Sequence, residues 1–130
     1  MIFLIDHNIE GQALILLGLI TKNGWLDLLQ IRFVTFDEIA LAVDSNDRIV
    51  WRFAQERQMI LLTANRSMKG EDSLELVMRE ENTLTSLPVI TIANVDRLEE
   101  ADYRERCANS LIEIVLDIDN YRGTMRVFIP

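Results

Sequence analysis

Asp6 and Asn65 each stand just past a run of apolar residues, and Asp47 stands at the start of an amphipathic segment. Asp6 closes Ile2-Phe3-Leu4-Ile5, Asn65 follows Met59–Thr63 by one alanine, and Asp47 opens a segment carrying Ile49, Val50, Phe53 and Ala54. Glu71 and Asp72 come a few residues after Asn65, and Asp96 shortly after Pro88–Ile92. Carboxylates gathered at one edge repel one another unless a cation neutralises them. The cation suited to carboxylate and water oxygens is Mg²⁺ or Mn²⁺. Such an ion activates water and stabilises a leaving oxygen on phosphate. Asp6, Asp47, Asn65, Glu71 and Asp72 are therefore the candidate ligands.

Each of these residues also has a plainer reading. An aspartate after a strand caps a turn, Asp47 suits a helix N-cap, and Glu71 and Asp72 suit the positive end of a helix. His7, the single histidine, reads as a surface or packing residue, and a lone imidazole rules out His-rich metal sites and most Ser-His-Asp triads. Cys107, the single cysteine, excludes an internal disulfide and a cysteine-built zinc site, and packs in the last helix. Trp25 and Trp51 suit core or interface positions.

Asp and Glu number 21 against 13 Lys and Arg, a net charge of −8, which excludes nucleic-acid binding by bulk charge. A metal held by acids can still bring phosphate to such a chain. With 49% hydrophobic and 26% charged residues, the 130-residue chain has an ordinary globular balance and the length of one domain, residues 1–130. The start lacks a basic segment and a small-residue cleavage site, and the longest apolar stretch, Ala13–Ile20, is too short to span a bilayer. A soluble protein of the cytoplasm is the expectation.

The elements that must position these acids follow from apolar periodicity. Ile2–Ile5 reads as a strand buried on both faces, and Asn8 as the cap of a helix carrying Ile9, Ala13, Leu16, Leu17 and Ile20. Leu14, Ile15 and Leu19 widen that stripe, so the helix is expected to be buried on most sides and to stop at Asn23-Gly24. Trp25–Leu29 suits a helical turn and Ile31–Val34 a second strand. A helix opens at Asp47, a third strand covers Met59–Thr63, and a helix carries Leu74, Val77 and Met78. Pro88–Ile92 is a fourth strand, a long helix spans about Arg97 to Asp117, and Thr124–Ile129 is the last strand. Strand and helix alternate without linker or repeat, which predicts one α/β layered domain, a mainly parallel five-strand sheet with helices on both faces. In such sheets ligands meet the carboxyl ends of the strands.

Two stretches carry a resemblance. Leu4-Ile5-Asp6-His7-Asn8-Ile9 is similar to the opening of compact bacterial PIN-like domains, where a strand ends in Asp-Glu-Asn-Leu. Asp47–Ala54 resembles that group's Asp-led helix with an alanine seven residues on. From Ala54 the spacing to Thr63 and Asn65 matches its helix–strand–Thr-x-Asp pattern without a gap. Glu38-Ile39-Ala40-Leu41 stands in the place of a Glu-Leu-Gly-Leu-like segment. The likeness covers about residues 2–95. It implies a three-layer α/β/α fold and a divalent-metal-dependent ribonuclease, often the toxin of a toxin–antitoxin pair. An antitoxin-type protein partner and a homodimer go with it.

By that resemblance Asp6 and Asp47 match the first two metal-binding acids, and Asn65 stands where the third, an aspartate, is expected. Ser67 replaces a further aspartate, and His7 an acid after Asp6. An amide oxygen can ligate a hard cation but brings no charge, so Glu71 or Asp72 would have to compensate. The implied reaction is phosphodiester hydrolysis on Mg²⁺ or Mn²⁺, with Arg48, Arg66 and Lys69 holding the RNA backbone. A solvated-surface role for those cations stays open.

Asn65 and Ser67 equally suit a catalytically degenerate PIN-like protein serving as a binding or regulatory module. A phosphoacceptor receiver domain fits less well: its acidic pair is replaced by Asp6-His7 and its central aspartate by Asn65. No glycine-rich nucleotide loop occurs among the five glycines.

Overall fold

The computed structural model describes residues 1–66 and 70–130. Its strands are β1 (Ile2–Ile5), β2 (Arg32–Val34), β3 (Met59–Thr63), β4 (Val89–Ile92) and β5 (Arg126–Ile129). Their helices are α1 (Glu10–Lys22), α2 (Trp25–Leu28), α3 (Asp47–Glu56), α4 (Leu74–Glu81) and α5 (Ala101–Leu116). The sheet runs β2-β1-β3-β4-β5 and every pairing is parallel.

Parallel strands buried on both faces need apolar residues at successive positions, and β3 and β4 supply them without interruption. Because side chains alternate, Phe3, Ile5, Ile60, Leu62, Ile90 and Ile92 face one layer and pack with α1 and α5. Leu4, Met59, Leu61 and Val89 face the other and pack with α3 and α4. The fold is a three-layer α/β/α domain.

The same alternation positions the site. One step beyond Leu4, Leu61 and Val89 on their own face come Asp6, Thr63 and Thr91, so the face under α3 and α4 turns polar at the carboxyl ends of the strands. The strand order reverses between β1 and β3, because the chain leaves β1 toward β2 on one side and returns to β3 on the other. That reversal opens a crevice at the ends of the two strands. Among the described residues no helix is long and apolar enough to cross a membrane.

Several local expectations are corrected. Asn8 does not cap α1. A 3₁₀ turn, His7–Ile9, comes first, and the Asp6 carboxylate accepts from the Asn8 N–H. Nor is α1 buried on most sides: the stripe Ala13, Leu16 and Ile20 takes the sheet, while Leu14 and Ile15 turn outward at 67% and 40% exposure. The long helix expected from Arg97 is broken at Glu100, whose extended backbone separates a 3₁₀ turn, Val95–Glu99, from α5. Side chains hold that break: the Tyr103 hydroxyl accepts from Asn94 N–H and Arg104 donates to the Leu98 carbonyl. The last strand starts at Arg126 because Met125 is left-handed, with φ at 70°.

Candidate functional site

A cavity of about 80 Å³, room for a few waters, lies where β1 and β3 end. Asp6, His7, Asp47, Thr63 and Asn65 give it polar walls, and Val43, Val50 and Leu74 are among its apolar ones.

Asp6 follows β1 directly, and its backbone N–H still donates to the Leu62 carbonyl, extending the sheet ladder by one bond. Its Oδ2 accepts from the Thr63 hydroxyl at 2.6 Å and its Oδ1 from Asn8 N–H at 3.3 Å. Thr63 is fully buried, and its hydroxyl in turn accepts from Asn65 N–H at 2.9 Å. One hydroxyl therefore ties the end of β1 to the end of β3.

Asp47 reaches the same cavity from α3. The plainer reading of Asp47 as an N-cap does not hold, because Asn46 is the cap and its side chain accepts from Ile49 N–H at 2.9 Å. Asp47 is the first helical residue, and its carboxylate is turned to the cavity. Oδ2 accepts from the Asn65 amide Nδ2 at 2.9 Å and from the Leu74 N–H, the first of α4, at 3.0 Å. Leu74 N–H is one of the donors that a helix start leaves without an intrahelical acceptor, and the positive ends of α3 and α4 both favour an anion there.

The remaining predicted residues go elsewhere. Asp72 accepts from Arg48 Nε at 2.9 Å and Glu71 offers its carbonyl to Arg48 Nη2 at 2.7 Å. Neither acid lines the cavity. The helix-start role expected of them falls to Ser73, whose hydroxyl caps α4. Arg48 also pairs with Glu80 at 3.0 Å and with Glu81, which meets Arg52 at 2.7 Å. Asp72 and then Glu81 raise the Arg48 guanidinium above its ordinary value, and Arg52 leads in holding the Glu81 carboxyl below its own. Arg48 is thus an α3–α4 clamp. Arg66 is exposed, donates to the Ala93 carbonyl and lies over the Phe128 ring. Ser67 and Lys69 fall outside the described residues. His7, at the cavity wall, meets Glu10 through Nδ1 at 3.2 Å.

Thr63 entered the sequence reading only through the Thr-x-Asp spacing, with no role for its hydroxyl. Two further contributors, the Leu74 N–H and Arg126, were not singled out and had no signal in the sequence. Arg126 spans 61 positions to donate to the Asn65 carbonyl at 2.7 Å, and also to Thr91 Oγ1 at 2.5 Å.

Among the described residues, no three His, Cys, Asp or Glu side chains converge as a metal cage. The donor set fits a hard cation all the same. Each carboxylate uses two of about four acceptor positions in the bonds above, and Mg²⁺ is commonly held by one or two carboxylates with water completing its shell. Asn65 turns a donor, not a ligand oxygen, toward Asp47. Comparison with protein-family models, curated proteins and solved structures finds no match.

Proposed function

We propose that the chain is a PIN-like ribonuclease of the toxin type that hydrolyses RNA phosphodiesters with Mg²⁺ or Mn²⁺. The observation that carries this reading is the meeting of Asp6 and Asp47, from two distant segments, in one small polar cavity at the strand-order reversal. A second observation supports the family: Ala40, matched to a glycine in the PIN-like pattern, has a left-handed backbone at φ 57°, a conformation glycine adopts without strain.

Asp6 and Asp47 would hold the cation, directly or through water, and when bound it supplies an activated water and neutralises charge on the scissile phosphate. The residues of the chain set the geometry. Thr63 fixes the Asp6 carboxylate, and the Leu74 N–H fixes that of Asp47. Arg66, next to Asn65, is the cation placed to meet the RNA backbone. An antitoxin-type protein is the partner and the cytoplasm the location that go with this reading.

The test is cleavage of single-stranded RNA by purified protein with Mn²⁺, with EDTA, and with Asp6→Asn. Turnover that needs the metal and is lost in the variant is expected; turnover indifferent to Asp6→Asn overturns the reading.

One bond favours the second reading, a catalytically degenerate binding or regulatory module. The Asn65 amide already donates to the carboxylate that a third acid would otherwise share with a cation. Binding of RNA without turnover at saturating Mn²⁺ selects it.

A further inference from the structure

A second cavity, of about 330 Å³, is lined by Arg66, Glu75, Arg126 and Phe128, the first two of which directly follow Asn65 and Leu74 of the first cavity. We propose that it is a subsite for one nucleotide of single-stranded RNA, with the Phe128 ring stacking on the base and Arg66 facing the adjoining phosphate. This rests on the RNA-directed part of the function proposed above.

Phe128 pairs with Thr91 in register, so it lies on the same sheet face as Thr91 and Thr63. It belongs to the edge strand, and the residue is 50% exposed although most large apolar side chains of the sheet are buried. Two guanidinium carbons lie within reach of the ring, Arg66 at 5.4 Å and Arg126 at 5.7 Å. Arg126 is held in place by Asn65, Thr91 and, at 3.4 Å, Glu75. Glu75 is the one acid lining the cavity against two arginines, so this patch is positive on a chain of net charge −8.

An exposed aromatic flanked by arginines is the combination that holds unpaired bases, because every base has a face to stack and every nucleotide a phosphate to neutralise. A cavity of this size also falls within the range of small-ligand pockets. Its position gives it a purpose: Arg126 holds the backbone carbonyl of Asn65, and the side chain of Asn65 holds Asp47. A base on Phe128 would thereby place the next phosphates along the edge toward Asp6 and Asp47.

The experiment is fluorescence anisotropy of a labelled single-stranded hexaribonucleotide in EDTA, where metal-dependent cleavage cannot occur. Wild-type protein is expected to bind it. Phe128→Ala should weaken binding about tenfold, the size of one lost base–aromatic stack, and Phe128→Tyr should keep it. Duplex RNA and heparin, which offer phosphate or sulfate without free bases, should bind more weakly and without dependence on Phe128. Equal affinity of wild type and Phe128→Ala overturns the proposal, as does failure of wild type to bind, or equal losses for hexamer and heparin. If Phe128-dependent binding is found but Mn²⁺ brings no cleavage, the ribonuclease reading fails while the subsite stands. The reverse result removes the subsite alone.

Discussion

Asp47 and Arg48 are consecutive, yet they belong to two regions built on opposite terms. Asp47 turns into the cavity, where two carboxylates meet hydroxyl, amide and backbone donors but no paired cation among the contacts described. Arg48, one helical step on, turns to a cluster in which Asp72, Glu80 and Glu81 share guanidinium groups. Both regions are rich in acid. In the clamp the negative charge is consumed by arginine, and the acids are bound up in joining α3 to α4. In the cavity the carboxylates are oriented by neutral donors. Proximity in sequence therefore says little about which acids serve a site; what matters is whether an arginine reaches them first.

The most severe way to break this contrast is to remove charge from the cavity. Asp47→Asn should abolish Mn²⁺ binding in isothermal titration and lower RNA cleavage by at least about a hundredfold, the scale of losing a main electrostatic group in a site. Asp72→Asn should leave Mn²⁺ binding as in wild type. Equal losses in both variants would falsify the division of labour. Thr63→Val removes the buried hydroxyl that joins Asp6 to Asn65 and should cost about 1–3 kcal/mol in urea unfolding, because the part-buried Asp6 carboxylate loses that donor. Asn65→Asp sharpens the contrast from the other side. It adds a third charge and deletes the amide donor, so Mn²⁺ affinity should rise about tenfold, the scale of one charge-assisted contact, while the metal-free protein melts lower.

The smallest effect concerns acid. Arg52 and Arg48 hold the Glu81 carboxyl below its ordinary 4.5. A depressed folded value means that the stabilisation is complete above about 4.5 and is lost as pH falls through the lower folded value. Melting temperature should therefore drop below pH 4.5 in wild type, and less steeply in Glu81→Gln. The exposed part of the clamp keeps this difference modest.

The strands were legible because short continuous apolar runs distinguish them: Ile2–Ile5 stops at Asp6, Met59–Thr63 starts after Gln58, and the two hold nothing but apolar residues and Thr63. Asp6 was legible for the same reason, as the polar residue that ends such a run, and Asp47 as the opening of an amphipathic segment. Competition between neighbours was not legible. Asn46 and Asp47 are both good caps, and only the backbone decides that Asn46 takes the role and frees Asp47. Asn8 lost its expected role because a 3₁₀ turn intervened, and Asp72 its own because Arg48 reached across from α3. The apolar stripe of α1 is broader than the sheet surface available to it, so hydrophobicity alone could not tell Leu16 from Leu14. Arg126 was invisible because its partners, the Asn65 carbonyl and the Thr91 hydroxyl, lie far from it in sequence.

The bond from Leu74 N–H to Asp47 makes a backbone amide of α4 part of the cavity wall. An amide so held exchanges its proton with solvent only when the bond opens, so its exchange rate records how firmly Asp47 is fixed. A cation that drew the carboxylate toward itself would loosen that bond, and one that locked it in place would tighten it. Hydrogen–deuterium exchange at Leu74, with and without Mg²⁺, would thus turn the first turn of α4 into a built-in gauge of occupancy that needs neither substrate nor turnover.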